Sequence, residues 1–262
     1  MPELPDVEAV ADLLRRRLVG RRIDRVRVLD HAVVRSPSAA AFARRLRGRT
    51  VRHVSRRGKY LMLSMDGNLT VVGHLRMTGD FVVVPKRAPI HPHTRLVLGF
   101  DAADVRFIDQ RRFGHLDLVA TDRAAELEGM RALGTEPLGP DFTEERLHAL
   151  LRTRRGAVKA LLLRQDLVAG IGNIYADEIL FQARLSPDRT GASLRPAELR
   201  RLHRAIVTSL RRGIAALSGR GRTIGDLVEV RKRGGTCPRC RRALRTATIG
   251  GRTTYYCRHC QR

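Results

Sequence analysis

The first residues of the chain could form a nucleophilic centre. The sequence opens Met-Pro-Glu-Leu-Pro-Asp-Val-Glu, and removal of Met1 turns Pro2 into a free secondary amine. An α-amino group titrates near pH ~8, so a useful fraction is unprotonated at neutral pH and can attack an aldehyde carbon to form a Schiff base. The carboxylate of Glu3 follows directly and is placed for proton transfer. The same residues also fit an extended lead-in and the acidic first turn of a helix, so this segment alone leaves both readings open.

A metal site is predicted at the other end of the chain. All four cysteines lie in the last 26 residues, as two C-x2-C pairs with 16 residues between them: Cys237, Cys240, Cys257 and Cys260. This spacing is typical of metal ligands rather than of a disulfide framework. Four thiolates so arranged match one closed, tetrahedral structural zinc (Zn²⁺) site that holds a hairpin with little core of its own. His259 lies inside the second pair, but the cysteines already complete the ligand set.

The charge of the chain predicts a polyanionic partner. The 262 residues include 51 Lys and Arg against 26 Asp and Glu, a formal net charge of +25. The segment from 230 to 262 is the most basic, with ten Lys or Arg and no acid. Basic side chains that meet phosphates release condensed counterions, which makes nucleic acid the leading candidate.

An anionic membrane surface is the rival partner. The sequence has no apolar run near 20 residues, no apolar signal-peptide core and no long basic amphipathic helix with an aromatic face. These absences disfavour a membrane protein. We therefore expect a cytoplasmic, nucleoid-associated protein.

The residue pattern of the first half predicts a helix followed by a β-domain. Apolar residues recur with helical period over 7–19, and a short helix is expected to close near 44–46. Asp66-Gly67-Asn68 reads as a hairpin turn. Many short strands at such spacing favour a β-sandwich or barrel-like domain. The predicted strands are 23–29, 50–54, 60–65, 69–75, 81–84, 96–100, 105–108 and 116–119.

Two loops of this half carry bulky and polar groups that a turn does not need. They read His-Leu-Arg-Met-Thr-Gly at 74–79 and Asp-Gln-Arg-Arg-Phe-Gly at 109–114. An arginine beside an aromatic ring can fill the hole left in a base stack. A loop Met or Phe can equally be tucked onto the core.

The second half reads as a compact helical domain behind a linker at 129–140. Helices are predicted from a Thr143 cap, over 156–165, from Asn173 and over 196–217. Gly-Ile-Gly at 170–172 stands ahead of the third helix, where exposed backbone N–H groups form a phosphate-binding geometry. An ordinary tight turn between two helices fits the same residues.

Together these motifs resemble the formamidopyrimidine-DNA glycosylase and endonuclease VIII family, and the formamidopyrimidine branch more closely. The resemblance covers nearly the whole chain and rests on the opening 1–8, Arg-Gly-Lys-Tyr at 57–60, the two loops, Gly-Ile-Gly-Asn-Ile-Tyr-Ala-Asp-Glu at 170–178 and the cysteine tail. It implies a multidomain α+β fold with DNA in a cleft between two lobes. The expected domains are an N-terminal helix with a two-layer β-sandwich (1–130), a helix-two-turn-helix domain (131–219), and a short linker with a β-hairpin zinc finger (220–262).

The resemblance also implies a chemistry, base-excision repair by a bifunctional glycosylase and AP lyase. A damaged base such as 8-oxoguanine or a formamidopyrimidine is flipped out of double-stranded DNA, and Pro2 attacks C1′ of its sugar. The Schiff base then undergoes β- and δ-elimination, which cuts the strand, and abasic sites are substrates too. Glu3 is implied as the proton shuttle and Lys59 as a phosphate contact near the lesion, with the protein acting as a monomer.

Further roles follow from the same resemblance. Asn173 and Arg252 are implied to pinch the backbone around the flipped nucleotide, and His74 to contact another phosphate. The void-filling residues are Met77, Arg111 and Phe113. Lys159 is implied to lie near the damaged base, and Asp6 and Glu178 in a polar network around the active site.

The sequence departs from the family pattern at three places. Asp6 replaces a more usual glutamate, and Gln110 stands where proline is common. The segment 219–235 is short for the flexible loop that covers an oxidised purine in purine-specific members, so specificity for oxidised pyrimidines or hydantoins is an alternative. A non-catalytic module that binds damaged DNA is a second alternative, and it explains the charge and the zinc finger but makes Pro2 and Glu3 accidental.

Overall fold

The structure, a computed structural model, describes residues 1–262 and divides into two compact units. The N-terminal unit comprises residues 1–2 and 6–131, and the C-terminal unit comprises residues 3–5 and 132–262. None of the helices combines the length and the apolar character that crossing a bilayer requires.

The first helix, α1, spans Leu4–Leu18. It begins three residues earlier than the periodicity predicted, because Pro5 fits the first turn, where its missing N–H costs no helical hydrogen bond. Its predicted apolar face is buried: Val7, Ala11 and Leu14 are 0 % exposed.

The N-terminal unit is a two-layer β-sandwich, as predicted. One sheet has the strand order β1-β7-β8-β6 and the other β2-β9-β5-β4-β3. Leu61 and Leu63 of one sheet and Phe81 and Phe107 of the other meet in a single core with α1. The strands are β1 Arg25–Val28, β2 Val34–Ser36, β3 Val51–Arg57, β4 Tyr60–Met65, β5 Leu69–His74, β6 Gly79–Pro85, β7 Thr94–Gly99, β8 Ala103–Asp109 and β9 His115–Ala120.

The connections of this unit follow local chemistry. Gly67 and Asn68 adopt positive φ of 70° and 55° in the predicted turn between β4 and β5, which glycine and asparagine tolerate best. Helix α2, Ala39–Leu46, begins at a Ser38 cap. The sequence did not predict β2, because a three-residue strand is too short to show alternation.

The segment 129–140, predicted as a linker, contains some regular secondary structure. It opens in a short helix, α3, over Glu128–Arg131, in which Met130 is 7 % exposed. Further on, Thr135 forms a parallel bridge with Val168.

The C-terminal unit combines helices with one hairpin. The helices are α4 Glu144–Leu151, α5 Val158–Leu163, α6 Asn173–Ala183, α7 Pro196–Leu217 and α8 Asp226–Val230, and the hairpin strands are β10 Arg245–Ile249 and β11 Arg252–Tyr256. Thr143 caps α4 as predicted, since its hydroxyl accepts a hydrogen bond from Arg146 N at 3.1 Å. Helix α5 is shorter than predicted at both ends. Its last carbonyl, Leu163 O, accepts a hydrogen bond from Gln165 Nε2 at 2.9 Å.

Candidate functional site

The carboxylate of Glu3 is held at the N-terminus of α6. It is 2 % exposed and accepts hydrogen bonds from the backbone N–H groups of Ile174 at 2.8 Å, Gly172 at 2.9 Å and Tyr175 at 3.1 Å. The unpaired N–H groups and the positive end of the helix dipole both favour an anion here. Three backbone N–H groups at this helix start, which fitted either a phosphate site or a tight turn, therefore donate to the chain's own carboxylate.

Two glycines make this approach possible. A Cβ atom on Gly172 would lie 2.3 Å from Glu3 Cδ, so any side chain there would expel the carboxylate. Gly170 has φ of +89°, and a Cβ there would lie 2.8 Å from Leu4 Cβ. Leu4 N–H also donates to Gly170 O at 3.0 Å. The Gly-Ile-Gly sequence thus seats residues 3 and 4 against the loop before α6.

Pro2 precedes this anchored carboxylate and is only partly buried. Met1 itself is 52 % exposed. Asp6 lies in the first turn of α1 and is partly buried. Burial, with a smaller contribution from the Asp6 charge, raises the pKa of Asp80.

Lys159 lies in α5 and is 0 % exposed. Its Nζ lies 2.6 Å from Asp177 Oδ1 and donates to Thr254 Oγ1 at 2.7 Å. Burial lowers its pKa, while the Asp177 carboxylate acts in the opposite direction. The side chain is fully enclosed by protein, and the position of Lys159 near a damaged base stays a prediction.

Asn173 and Arg252 lie on neighbouring elements of the C-terminal unit. Asn173 is the first residue of α6, and its Nδ2 donates to Thr253 O at 3.0 Å. Since Nδ2 carries two hydrogens, one is left for another acceptor. Arg252 begins β11, immediately before Thr253, and is exposed.

Glu178, predicted in the active-site network, caps helix α8. It is 1 % exposed and accepts from Leu227 N at 2.7 Å and Asp226 N at 3.1 Å. Gln182 Nε2 donates to the same carboxylate at 2.6 Å. The structure therefore gives Glu178 a local role that its position in the sequence did not reveal, the fixing of the segment before the zinc finger.

In the N-terminal unit, Lys59 lies in the turn between β3 and β4, and His74 ends the neighbouring strand β5. Arg57 pairs with Tyr60 across a two-residue turn, which places Lys59 in the turn itself rather than at the start of a strand. Lys59 is 7 % exposed. His74 ends β5, and its Nδ1 accepts from Arg76 N at 3.0 Å.

His74 is neutral at physiological pH. Burial, with the nearby charges of Arg76 and His115, lowers its pKa to about 3. Because Nδ1 accepts a hydrogen bond, Nε2 carries the hydrogen. Any contact of His74 with a phosphate is then a neutral N–H donation and not an ion pair.

The three predicted void-filling residues are exposed. Met77 is 41 % and Phe113 50 % exposed, so neither is tucked onto the core. The guanidinium of Arg111 lies 4.7 Å from the centre of the Phe113 ring. This is a cation–π arrangement at the tip of the second loop.

One buried acid, which the sequence did not single out, joins the two loops. Asp109 is 0 % exposed and accepts from Gly114 N at 2.7 Å and Arg111 N at 3.2 Å. Thr78 of the first loop donates its hydroxyl to the same carboxylate. Its position directly after the predicted strand 105–108 was the only available signal.

The four cysteines fit one zinc ion. Their sulfur atoms all lie within 4.8 Å of one another, with Sγ–Sγ distances of 3.5 Å for Cys240 and Cys257 and 3.9 Å for Cys237 and Cys260. A tetrahedral site with Zn–S bonds of about 2.3 Å sets such separations near ~3.8 Å. His259 is not part of this cluster and its Nδ1 lies 3.0 Å from Arg242. The predicted structural zinc is thus confirmed, with the four thiolates as its ligands.

Three family models match successive parts of the chain. Residues 1–116 match the formamidopyrimidine-DNA glycosylase N-terminal domain, residues 133–223 match the formamidopyrimidine-DNA glycosylase H2TH domain, and residues 234–262 match a zinc finger found in FPG and IleRS.

Relatives with full-length similarity carry the same name. The formamidopyrimidine-DNA glycosylase of Pelotomaculum thermopropionicum is 39% identical over 277 residues, covering 100% of this chain and 99% of the relative. That of a Roseiflexus species is 42% identical over 278 residues and is covered completely, as is this chain.

Solved structures agree in fold over the same length. Lactococcus lactis FPG in complex with DNA that contains an oxidised pyrimidine superposes with a TM-score of 0.90 at 31% identity, covering 99% of each chain. A complex of L. lactis Fpg with abasic-site DNA gives a TM-score of 0.90 at 30% identity, again over 99% of each chain. The chain belongs to the formamidopyrimidine-DNA glycosylase family of DNA glycosylases.

Proposed function

We propose that this protein is a bifunctional DNA glycosylase and AP lyase that uses Pro2 as its nucleophile. The observation that carries the proposal is the anchoring of Glu3 by three N–H groups at the start of α6. An N-terminus usually frays, but this one is fixed at its third residue. The amine of Pro2 is then held one residue from a buried carboxylate.

The chemistry follows from these two groups. With Met1 removed, the Pro2 nitrogen attacks C1′ of the damaged nucleotide, the base leaves, and the sugar ring opens to a Schiff base. Loss of a C2′ proton then expels the 3′-phosphate, and a second elimination expels the 5′-phosphate. Glu3 is the residue placed to exchange a proton with the sugar ring oxygen as the ring opens.

The remaining site residues are assigned to DNA. Lys59, His74, Asn173 and Arg252 contact phosphates around the lesion. The exposed group of Met77, Arg111 and Phe113 fills the space left by the flipped nucleotide, with Arg111 offering hydrogen bonds to the unpaired base opposite. The net charge of +25 supports this partner.

The proposed substrates are oxidised bases and abasic sites in double-stranded DNA. Complexes of L. lactis Fpg contain an oxidised pyrimidine, an abasic site or Fapy-dG, which supports formamidopyrimidines as one class. The segment 219–235 is short for a loop that covers an oxidised purine, which keeps oxidised pyrimidines or hydantoins open as the preferred lesions.

Borohydride trapping tests the proposal. Protein shown by intact mass to lack Met1 is incubated with duplex DNA that carries an abasic site, and borohydride should reduce the Schiff base to a stable covalent complex. Pro2→Gly should bind the duplex with unchanged affinity but lose strand cleavage. Pro85→Gly, at an exposed proline, is the matched control and should trap like the wild type.

The outcomes separate two functions. Absence of trapping and cleavage in the processed wild-type protein, together with retained binding, would identify a non-catalytic damaged-DNA-binding module. A panel of duplexes containing 8-oxoguanine or thymine glycol, compared by single-turnover rates, then ranks the lesions.

A further inference from the structure

We propose that Asp177 is a positioning residue that fixes the β10–β11 hairpin to α6, and thereby fixes Arg252 relative to Asn173. The inference rests on the proposed function, in which these two residues grip the DNA backbone. Asp177 itself touches no substrate in this proposal and acts through the hairpin.

The carboxylate of Asp177 joins three separate elements. It is 1 % exposed, with Oδ1 2.6 Å from Lys159 Nζ on α5 and Oδ2 2.7 Å from Arg231 Nε, just after α8. Oδ2 also accepts from the backbone N–H of Tyr255 in β11 at 3.1 Å. One carboxylate therefore connects two cations and a strand to α6.

The two cationic partners of Asp177 converge, together with Asn173, on a single carbonyl. Thr253 O accepts from Asn173 Nδ2 at 3.0 Å, from Arg231 Nη2 at 3.1 Å and from Lys159 Nζ at 3.3 Å. Thr253 follows Arg252 directly in β11. The position of the Arg252 backbone is thus tied, through one peptide group, to the side chain of Asn173.

The charges explain why this arrangement depends on the acid. Lys159 is fully buried and the Arg231 side chain is 14 % exposed, so two cations share one carboxylate with little water. Removal of one partner from a buried ion pair leaves an uncompensated charge. Without Asp177, Lys159 and Arg231 repel each other at the place where both hold Thr253 O.

The zinc ion does not replace this connection. The cysteines hold the far end of β11, where Cys257 packs with Phe181 and Leu227. Arg252 lies at the near end, five residues earlier, beside the Gly250-Gly251 turn, in which both glycines have positive φ. Zinc thus stabilises the base of the hairpin, and Asp177 positions the end that carries Arg252.

The test measures binding to duplex DNA that contains a tetrahydrofuran abasic-site analogue, at constant salt. Asp177→Asn should weaken binding about tenfold, the factor that corresponds to one charge-assisted hydrogen bond. A pure charge effect has the opposite sign, because the substitution raises the net charge by one and should tighten binding. Asp166→Asn is the matched control: it makes the same charge change at an exposed ion pair with Arg164 and should bind no more weakly than the wild type.

A double-mutant cycle distinguishes positioning from general destabilisation. In an Arg252→Ala background, Asp177→Asn should weaken DNA binding by much less than tenfold, because the side chain that Asp177 positions is absent. Zinc content should remain one ion per chain. If Asp177→Asn proves too unstable, Arg231→Gln removes one arm of the same network and should show the same non-additivity to a smaller degree.

Two results would overturn the inference: unchanged affinity of Asp177→Asn, or full additivity with Arg252→Ala. Both are read from binding alone. They therefore remain decisive even if the wild-type protein fails to trap with borohydride, a failure that would count against the catalytic proposal only.

Discussion

Replacement of Glu3 by glutamine should destabilise the C-terminal unit as well as affect chemistry. In the structure Glu3 Oε2 accepts from Gly172 N and Tyr175 N, and Oε1 accepts from Ile174 N. A glutamine oxygen can replace Oε2, but its NH2 group then faces the N–H of Ile174, donor against donor. The loss of an anion from a helix N-terminus costs ~1–2 kcal/mol in a buried setting, and a buried unsatisfied N–H costs ~1–3 kcal/mol. We expect a loss of about 3 kcal/mol in the free energy of unfolding.

Urea unfolding at pH 7, followed by far-UV circular dichroism, measures this loss for the transition of the C-terminal unit. Glu126→Gln is the control, because Glu126 forms an exposed pair with Arg123 at 3.0 Å and such pairs contribute little. Glu3→Asp keeps the charge on a shorter side chain, and its loss in the free energy of unfolding should lie between those of Glu126→Gln and Glu3→Gln. If the free energy of unfolding of Glu3→Gln lies within ~0.5 kcal/mol of the wild-type value, the carboxylate neither stabilises α6 nor fixes the N-terminus.

Two further predictions concern pH and metal. His74 has a pKa of about 3 in the folded protein against its ordinary 6.5, so the folded state binds fewer protons and stability falls as the pH falls below 6.5; by pH 5 the loss is about 2 kcal/mol. His74→Gln should remove most of that loss in urea unfolding of the N-terminal unit and leave only the contribution of His115, whose pKa burial also lowers. His53→Gln, at an exposed position, should leave the loss unchanged, and an equal pH dependence in all three proteins contradicts the assignment. Chelation of zinc should release one ion per chain and unfold the β10–β11 hairpin with loss of DNA binding, because the cysteines form much of its core. Tyrosine fluorescence reports this unfolding, since the chain has four Tyr and no Trp and Tyr255 and Tyr256 lie in β11; an unchanged emission after zinc release contradicts it.

Local patterns in the sequence predicted most of the elements. The apolar period of 3.6 residues defined α7 at its observed bounds, Pro196–Leu217. Strand β4 was likewise predicted at Tyr60–Met65. The prediction missed β2, which is short and irregular, and extended α5 by two residues at each end. Before α5, Ala157 forms a bridge with Thr190 instead of continuing the helix. Such ends depend on groups that meet through space, which periodicity does not contain.

The sequence by itself determined the chemistry that is available: a proline that can become an N-terminal amine, a carboxylate beside it, and four thiols with the spacing of a zinc site. These follow from residue type and local separation alone. Only the tertiary structure decided what each buried charge does. In the folded chain the Glu3 carboxylate, and not a phosphate, accepts from N–H groups at the start of α6. Lys159 is buried in an ion pair with Asp177, and Glu178 accepts from N–H groups of α8. A buried charge must find its partners within about 3 Å, and the partners in these three cases lie 18 to 172 residues away in the chain.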